Sequence, residues 1–136
     1  MTSGDTRVGA KFFLVDEIPY PDESTSGAPK TLVEDAQRSG ARRKYCAQGE
    51  SGFFSQVSWF PPAYTVPPHT HSHSELIMVI DGSLTVLGGG PTLGPADSVV
   101  IEGGHEYGFT AGDEGVTFTT IRTGASTTAL TEGEVR

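Results

Sequence analysis

Pro67-Pro68-His69-Thr70-His71-Ser72-His73-Ser74-Glu75 runs straight into the apolar stretch Leu76-Ile77-Met78-Val79-Ile80, and Asp81-Gly82 closes it. Three of the four histidines of the chain stand here at every second position. In a strand, successive side chains alternate faces, so His69 and His71 can point the same way. Two imidazoles with a nearby carboxylate make a metal site. A strand rises about 3.4 Å per residue, which would put His69 and Glu75 roughly 20 Å apart on a straight chain. One ion holds its N and O ligands at about 2 Å. The chain must therefore bend between His71 and Glu75, at the polar Ser72-His73-Ser74. Two trios are open on this geometry: His69, His71 and Glu75, or His71, His73 and Glu75.

Outward from this stretch the sequence is punctuated for β-structure. Its 136 residues include 18 glycines and 9 prolines, spread so as to separate many short strands. Phe53 to Phe60, Glu75 to Ile80, Ser83 to Leu87, Ser98 to Ile101, His105 to Thr110 and Val116 to Arg122 read as strands. Asp81-Gly82 reads as a two-residue hairpin turn, and Gly88-Gly89-Gly90-Pro91 and Asp113-Glu114-Gly115 as further turns. Before them, Lys11 to Val15 reads as a first strand and Ile18 to Lys30 as irregular. Thr31 to Arg38 reads as one short helix capped by Thr31 and ended at Ser39-Gly40. Residues 1–10 and the tail from Thr123 give no regular pattern. Many short strands with frequent turns predict an all-β barrel or sandwich.

Composition excludes some functions. A formal net charge of -8 argues against binding nucleic acid through its phosphates. Cys46 is the one cysteine, so no internal disulfide forms, which fits a reducing compartment. The run Phe12-Phe13-Leu14-Val15 is too short for a signal core or a membrane span. A soluble cytoplasmic protein with no membrane partner is expected. Arg38, Arg42, Arg43 and Lys44 place four of nine cationic residues within seven positions. They read either as an anion clamp or as a solvated charge run. Trp59 reads as core or as pocket wall.

His69-x-His71, three residues, Glu75, six residues and Gly82 resemble the first motif of the cupin family, from its first histidine onward; the leading glycine of that motif is absent. The resemblance covers roughly residues 50 to 122. It implies an all-β, single cupin (double-stranded β-helix, or jelly-roll) barrel with an N-terminal extension. The expected division is an N-terminal arm at 1–45 packing on the barrel, the barrel at 46–125 and a tail at 126–136. The resemblance also implies that His69, His71 and Glu75 are the metal ligands and that His73 lies in the bend.

The family's second motif is altered here. Ala96-Asp97 and the strand to Ile101 resemble its start, but Tyr107 stands at the histidine position, Ala111 at the usual asparagine position, and His105 two residues early. Tyr107 is read first as an acid, base or substrate anchor beside an open coordination position; His105 as the fourth ligand, or both residues as pocket wall, are the alternatives. A phenol with a pKa near 10 is a proton donor at pH 7. Glu102 and Glu106 alternate away from that face and are expected to be exposed.

The resemblance implies one divalent transition metal per chain, Fe(II) first, with Mn, Ni, Co, Cu or Zn also suited to the donor set. It implies a metal-dependent enzyme acting on a small oxygenated organic molecule, first an oxygenase similar to dihydroxyacetophenone-type dioxygenases. The alternatives are a redox-neutral isomerase, cyclase, dehydratase or lyase, and a non-catalytic small-molecule-binding barrel. A homodimer is implied as well.

Overall fold

The computed structural model describes residues 4–7, 9–23 and 28–130. The expected features at 1–3, 8, 24–27 and 131–136 lie outside the described residues. Gly4–Arg7 (β1) and Ala10–Phe13 (β2) form a small antiparallel sheet. Lys30–Ser39 is the helix α1. Eight strands then make one curled sheet: Arg42–Gln48 (β3), Phe54–Phe60 (β4), Thr65–His71 (β5), Glu75–Val86 (β6), Thr92–Leu93 (β7), Ser98–Ile101 (β8), Tyr107–Arg122 (β9) and Thr128–Leu130 (β10). The sheet thus begins at Arg42 and ends at Leu130.

Two predicted turns are corrected. Asp81-Gly82 does not close a hairpin. It lies inside β6, where the pairing with β9 shifts register between Val79 and Asp81 and again between Gly82 and Leu84. Asp113-Glu114-Gly115 likewise lies inside β9. The two irregularities face each other, with Gly82 opposite Val116. Extra residues in a ladder bend a strand sharply, so β6 and β9 turn the same corner together. Turn-forming residues are read in isolation as chain reversals; here each has a partner strand that keeps it in the ladder.

The corner lets one strand serve both walls. The first arm of β9 lies between β5 and the end of β6; its second arm lies between β4 and the start of β6. The walls enclose Val66, Ile77, Val79, Leu84, Phe109 and Phe118, all buried. Phe60 stacks on Phe109 with ring centroids 5.6 Å apart and meets Phe118 edge-on. Burial of such rings supplies most of the folding drive, about 25 cal/mol per Å² of apolar surface.

The helix is corrected in one detail. Its N-cap is Pro29, with no side-chain cap; Gly40 ends it in the left-handed region at φ 91°. Thr31 is therefore inside the first turn. Leu32 and Ala36, four apart on one face, pack against the main core. The N-terminal arm folds back on its own barrel, where Phe13, Val15 and Ile18 pack with Cys46, Val57 and Trp59. Trp59 therefore belongs to this second cluster, beside Tyr20. No helix among the described residues is long and apolar enough to cross a membrane.

Candidate metal centre

At the open end of the barrel, β5 runs out through His69 and His71, and the bend at Ser72-His73-Ser74 returns the chain into Glu75 at the start of β6. Alternation puts both imidazoles on the inward face. Their Nε2 atoms approach to 3.1 Å. Each ring is held from behind: His69 Nδ1 donates to the Pro67 carbonyl at 2.8 Å, and His71 Nδ1 lies 2.9 Å from Thr128 Oγ1 on β10. The first bond fixes His69 as its Nδ1–H tautomer, which leaves the Nε2 lone pair facing the cavity. Burial pushes the His69 pKa down and that of His71 down to about 4, so both are neutral at pH 7, as metal ligation requires.

Glu75 is almost fully enclosed, its side chain 2% exposed. Its Oε2 lies 3.8 Å from His71 Nε2 and accepts from Arg122 Nε at 2.9 Å. Its Oε1 accepts a hydrogen bond from the Tyr107 hydroxyl. Arg122 is fixed on its other side by Gln56 Oε1 at 3.0 Å. Buried carboxylates are tolerable when paired in this way.

The donor types, two imidazoles and a carboxylate, are ones that divalent transition metals take. Ligands bound at about 2.1 Å can lie at most roughly 4.2 Å apart, and the spacings of 3.1 and 3.8 Å fall within that reach. Two neutral nitrogens and one carboxylate are ligands of the right chemistry. Among the described residues no group of three His, Cys, Asp or Glu side chains is placed to hold a metal ion.

Tyr107 opens β9, pairs in register with His69, and lies with its ring 4.5 Å from the His69 ring. Burial, with Glu75 beside it, drives its pKa far above the ordinary phenol value. The hydroxyl therefore keeps its proton across the physiological range. His105, the other sequence candidate, is exposed in the loop before β9 and does not line the cavity. Its two-residue offset, which put it on the Tyr107 face of an extended strand, falls before the strand begins. Glu102 and Glu106 are exposed, as expected, and His73 is exposed with its ring on Ser72.

The cavity in front of these groups has a volume of about 150 Å³. Its walls come from both arms of β9 and from β4, β5 and β6, and α1 roofs it with Leu32, Val33, Ala36 and Gln37. Arg42 and Arg43 reach it from β3, while Lys44 is buried elsewhere, against Val15, Tyr20 and Trp59. The cationic run thus divides between wall, core and, for Arg38, the exposed surface. Arg122, Gln56 and Thr128 were not singled out by sequence. Arg122 shares the parity of Val116, Phe118 and Thr120 on one alternating strand, and that was the available signal.

Three tyrosines are held protonated by burial: Tyr45, Tyr107, and Tyr64, which is pushed up to about 12. Above about pH 10 the unfolded chain loses phenol protons that the native chain keeps. The native state then binds more protons, so stability falls as pH rises through that range and is fully retained below it. Absorbance titration at about pH 11 should show native phenolate well below the signal of the four tyrosines in denaturant. Equal signals would show the phenols to be solvated.

The cupin domain family matches residues 57–122. No curated protein matches the sequence. Among solved structures, the chain is similar to the polyketide cyclase RemF from Streptomyces resistomycificus, at 17% identity and a TM-score of 0.67, covering 90% of this chain and 85% of that one. It is similar to an RmlC-like cupin from Shewanella frigidimarina at 17% identity, a TM-score of 0.62 and coverages of 90% and 95%. KdgF from Halomonas sp. gives 19% identity, a TM-score of 0.60 and coverages of 84% and 94%. Likeness at these identities speaks for the fold.

Proposed function

Because this chain is a protein of the cupin fold, with a cupin domain at residues 57–122, in a superfamily that commonly holds a transition metal, we propose that it is a metal-dependent enzyme whose ion is held by His69, His71 and Glu75. The observation that carries the reading is the convergence of two back-pinned imidazole Nε2 atoms 3.1 Å apart beside a buried carboxylate. A divalent ion there would act as a Lewis acid on a substrate oxygen, or as a redox centre if it is iron.

The residues of the chain set the rest of the chemistry. Much of the cavity wall is apolar, and Leu32 and Ala36 of α1 are part of it. Tyr107 carries the proton at its hydroxyl, positioned at Glu75 Oε1. Arg122 balances the charge of Glu75. The substrate is a small oxygenated organic molecule, since about 150 Å³ accommodates roughly one ring.

We favour an oxygenase, as two histidines, one carboxylate and open positions suit Fe(II). The firmly protonated Tyr107 supports a redox-neutral isomerase, cyclase, dehydratase or lyase as the second reading. The test is metal analysis of protein purified without added metal, followed by oxygen-electrode assays with Fe(II) across an enol and catechol panel. One ion per chain with substrate-dependent oxygen uptake is expected. Turnover that persists anaerobically with Zn(II) or Mn(II) would move the assignment to the second reading. In either case Tyr107→Phe should keep the ion and lower turnover by about 100-fold or more.

A further inference from the structure

The cavity has two chemically different ends. Phe60, Phe109 and Phe118 form an aromatic cluster in its wall. Near the metal ligands the wall is Arg122, whose side chain remains 19% exposed. A guanidinium carries five N–H donors in a rigid plane. Nε is spent on Glu75 and one Nη1 hydrogen on Gln56, and these two bonds fix the plane. Nη2 meets no acceptor among the described residues. The charge around the cavity is also unbalanced. Arg42, Arg43 and Arg122 line it against Glu23 and Glu75, in a chain whose formal net charge is -8. Arg43 is closed on Glu23 by a two-point contact, and both Glu75 oxygens are taken.

We propose that the cavity takes a small carboxylate, its apolar body among the phenyl rings and its carboxylate anchored by Arg122, the specificity-determining residue. A fixed guanidinium plane with donors to spare matches two carboxylate oxygens, and such charge-assisted bonds are the strong ones. A neutral amide of the same shape presents an N–H to Arg122 in place of one oxygen and lacks the charge. The cavity volume of about 150 Å³ fits a ring-sized acid. The inference rests on reading this cavity as the substrate site of the metal centre, and it adds the class of molecule admitted.

The test is calorimetric titration with benzoate and with benzamide of the full chain, Arg122→Gln and Arg122→Lys, each with its metal content measured. The full chain should bind benzoate at least about tenfold tighter than benzamide. Arg122→Gln should bring the ratio near one, compared at equal metal occupancy because Arg122 also holds Glu75. Arg122→Lys, which keeps the charge and loses the planar fork, should fall between. If Arg122→Gln fails to fold, the loss of about threefold or more in the ratio on going to Lys decides the matter. Equal binding of the two probes by the full chain, or an unchanged preference in folded Arg122→Gln, overturns the anchor. A full chain that lacks metal and still prefers benzoate upholds the anchor and overturns only the metal centre.

Discussion

His71→Ala should reduce bound metal from one ion per chain to near zero under conditions where the full chain is loaded. On the proposed ligand set the ring supplies one of three donors, and His73 and His105, both exposed, do not line the cavity. Disturbing a group that merely orients a ligand costs about 10–100-fold in affinity, so removing the ligand itself should cost more than about 100-fold. Thr128→Val supplies the calibrating case, because it removes only the hydroxyl behind His71 Nδ1, and its loss should stay within the smaller range. In metal-free protein the ranking changes. The two Nε2 atoms at 3.1 Å gain little from each other, and burial already disfavours charging either ring. The denaturation midpoint of metal-free His71→Ala should therefore lie close to that of the metal-free full chain. Elemental analysis and urea unfolding together decide this. Metal retained at full occupancy in His71→Ala would remove His71 from the ligand set.

Gly82→Ala should lower stability by about 3–5 kcal/mol, close to the limit for a single substitution. Gly82 has φ 76°, and a left-handed conformation costs a Cβ-bearing residue about 1–2 kcal/mol. The remainder is steric. A Cβ on Gly82 would drive into the Gly115 carbonyl oxygen and lie 3.1 Å from the Val116 Cα. These are backbone atoms of β9 and cannot rotate away. Gly104→Ala separates the two contributions, since its φ is 81° and a Cβ there meets nothing within 4 Å. It should cost only the conformational part. Urea midpoints for the two variants should differ by at least about 1.5 kcal/mol at unchanged m-value. Equal losses would mean that the corner relaxes and that the contact between β6 and β9 is soft.

The parts of the site that the sequence shows are those encoded locally. His69, His71 and Glu75 lie within seven positions, and strand alternation plus one bend brings them together. Tyr107 came from the departure at a motif position. Arg122 and Thr128 were invisible for a different reason. They reach Glu75 and His71 only through pairings across 47 and 57 positions, which no local pattern reports. The corner was misread because Asp81-Gly82 and Asp113-Glu114-Gly115 are each good turn sequences. Only their mutual pairing shows that neither reverses the chain. The β3 strand was hidden by its charges: Arg42-Arg43-Lys44 reads as an anion clamp or a solvated charge run, although Lys44 is buried over Tyr20.

The shared bend of β6 and β9 has one more consequence. In the first arm of β9 the buried wall positions are the odd-numbered Tyr107, Phe109 and Ala111; in the second they are the even-numbered Val116, Phe118 and Thr120, with Arg122 next in the series. The glycine corner is thus a phase shifter as well as a bend. It changes which half of the alternation faces inward, so that Tyr107 and Arg122, fifteen positions apart, hold opposite oxygens of the same carboxylate. A corner one residue longer or shorter would leave one arm in phase and turn the other inside out. The spacing of residues that touch no ligand therefore sets whether the proton donor and the cation can meet at Glu75 at all.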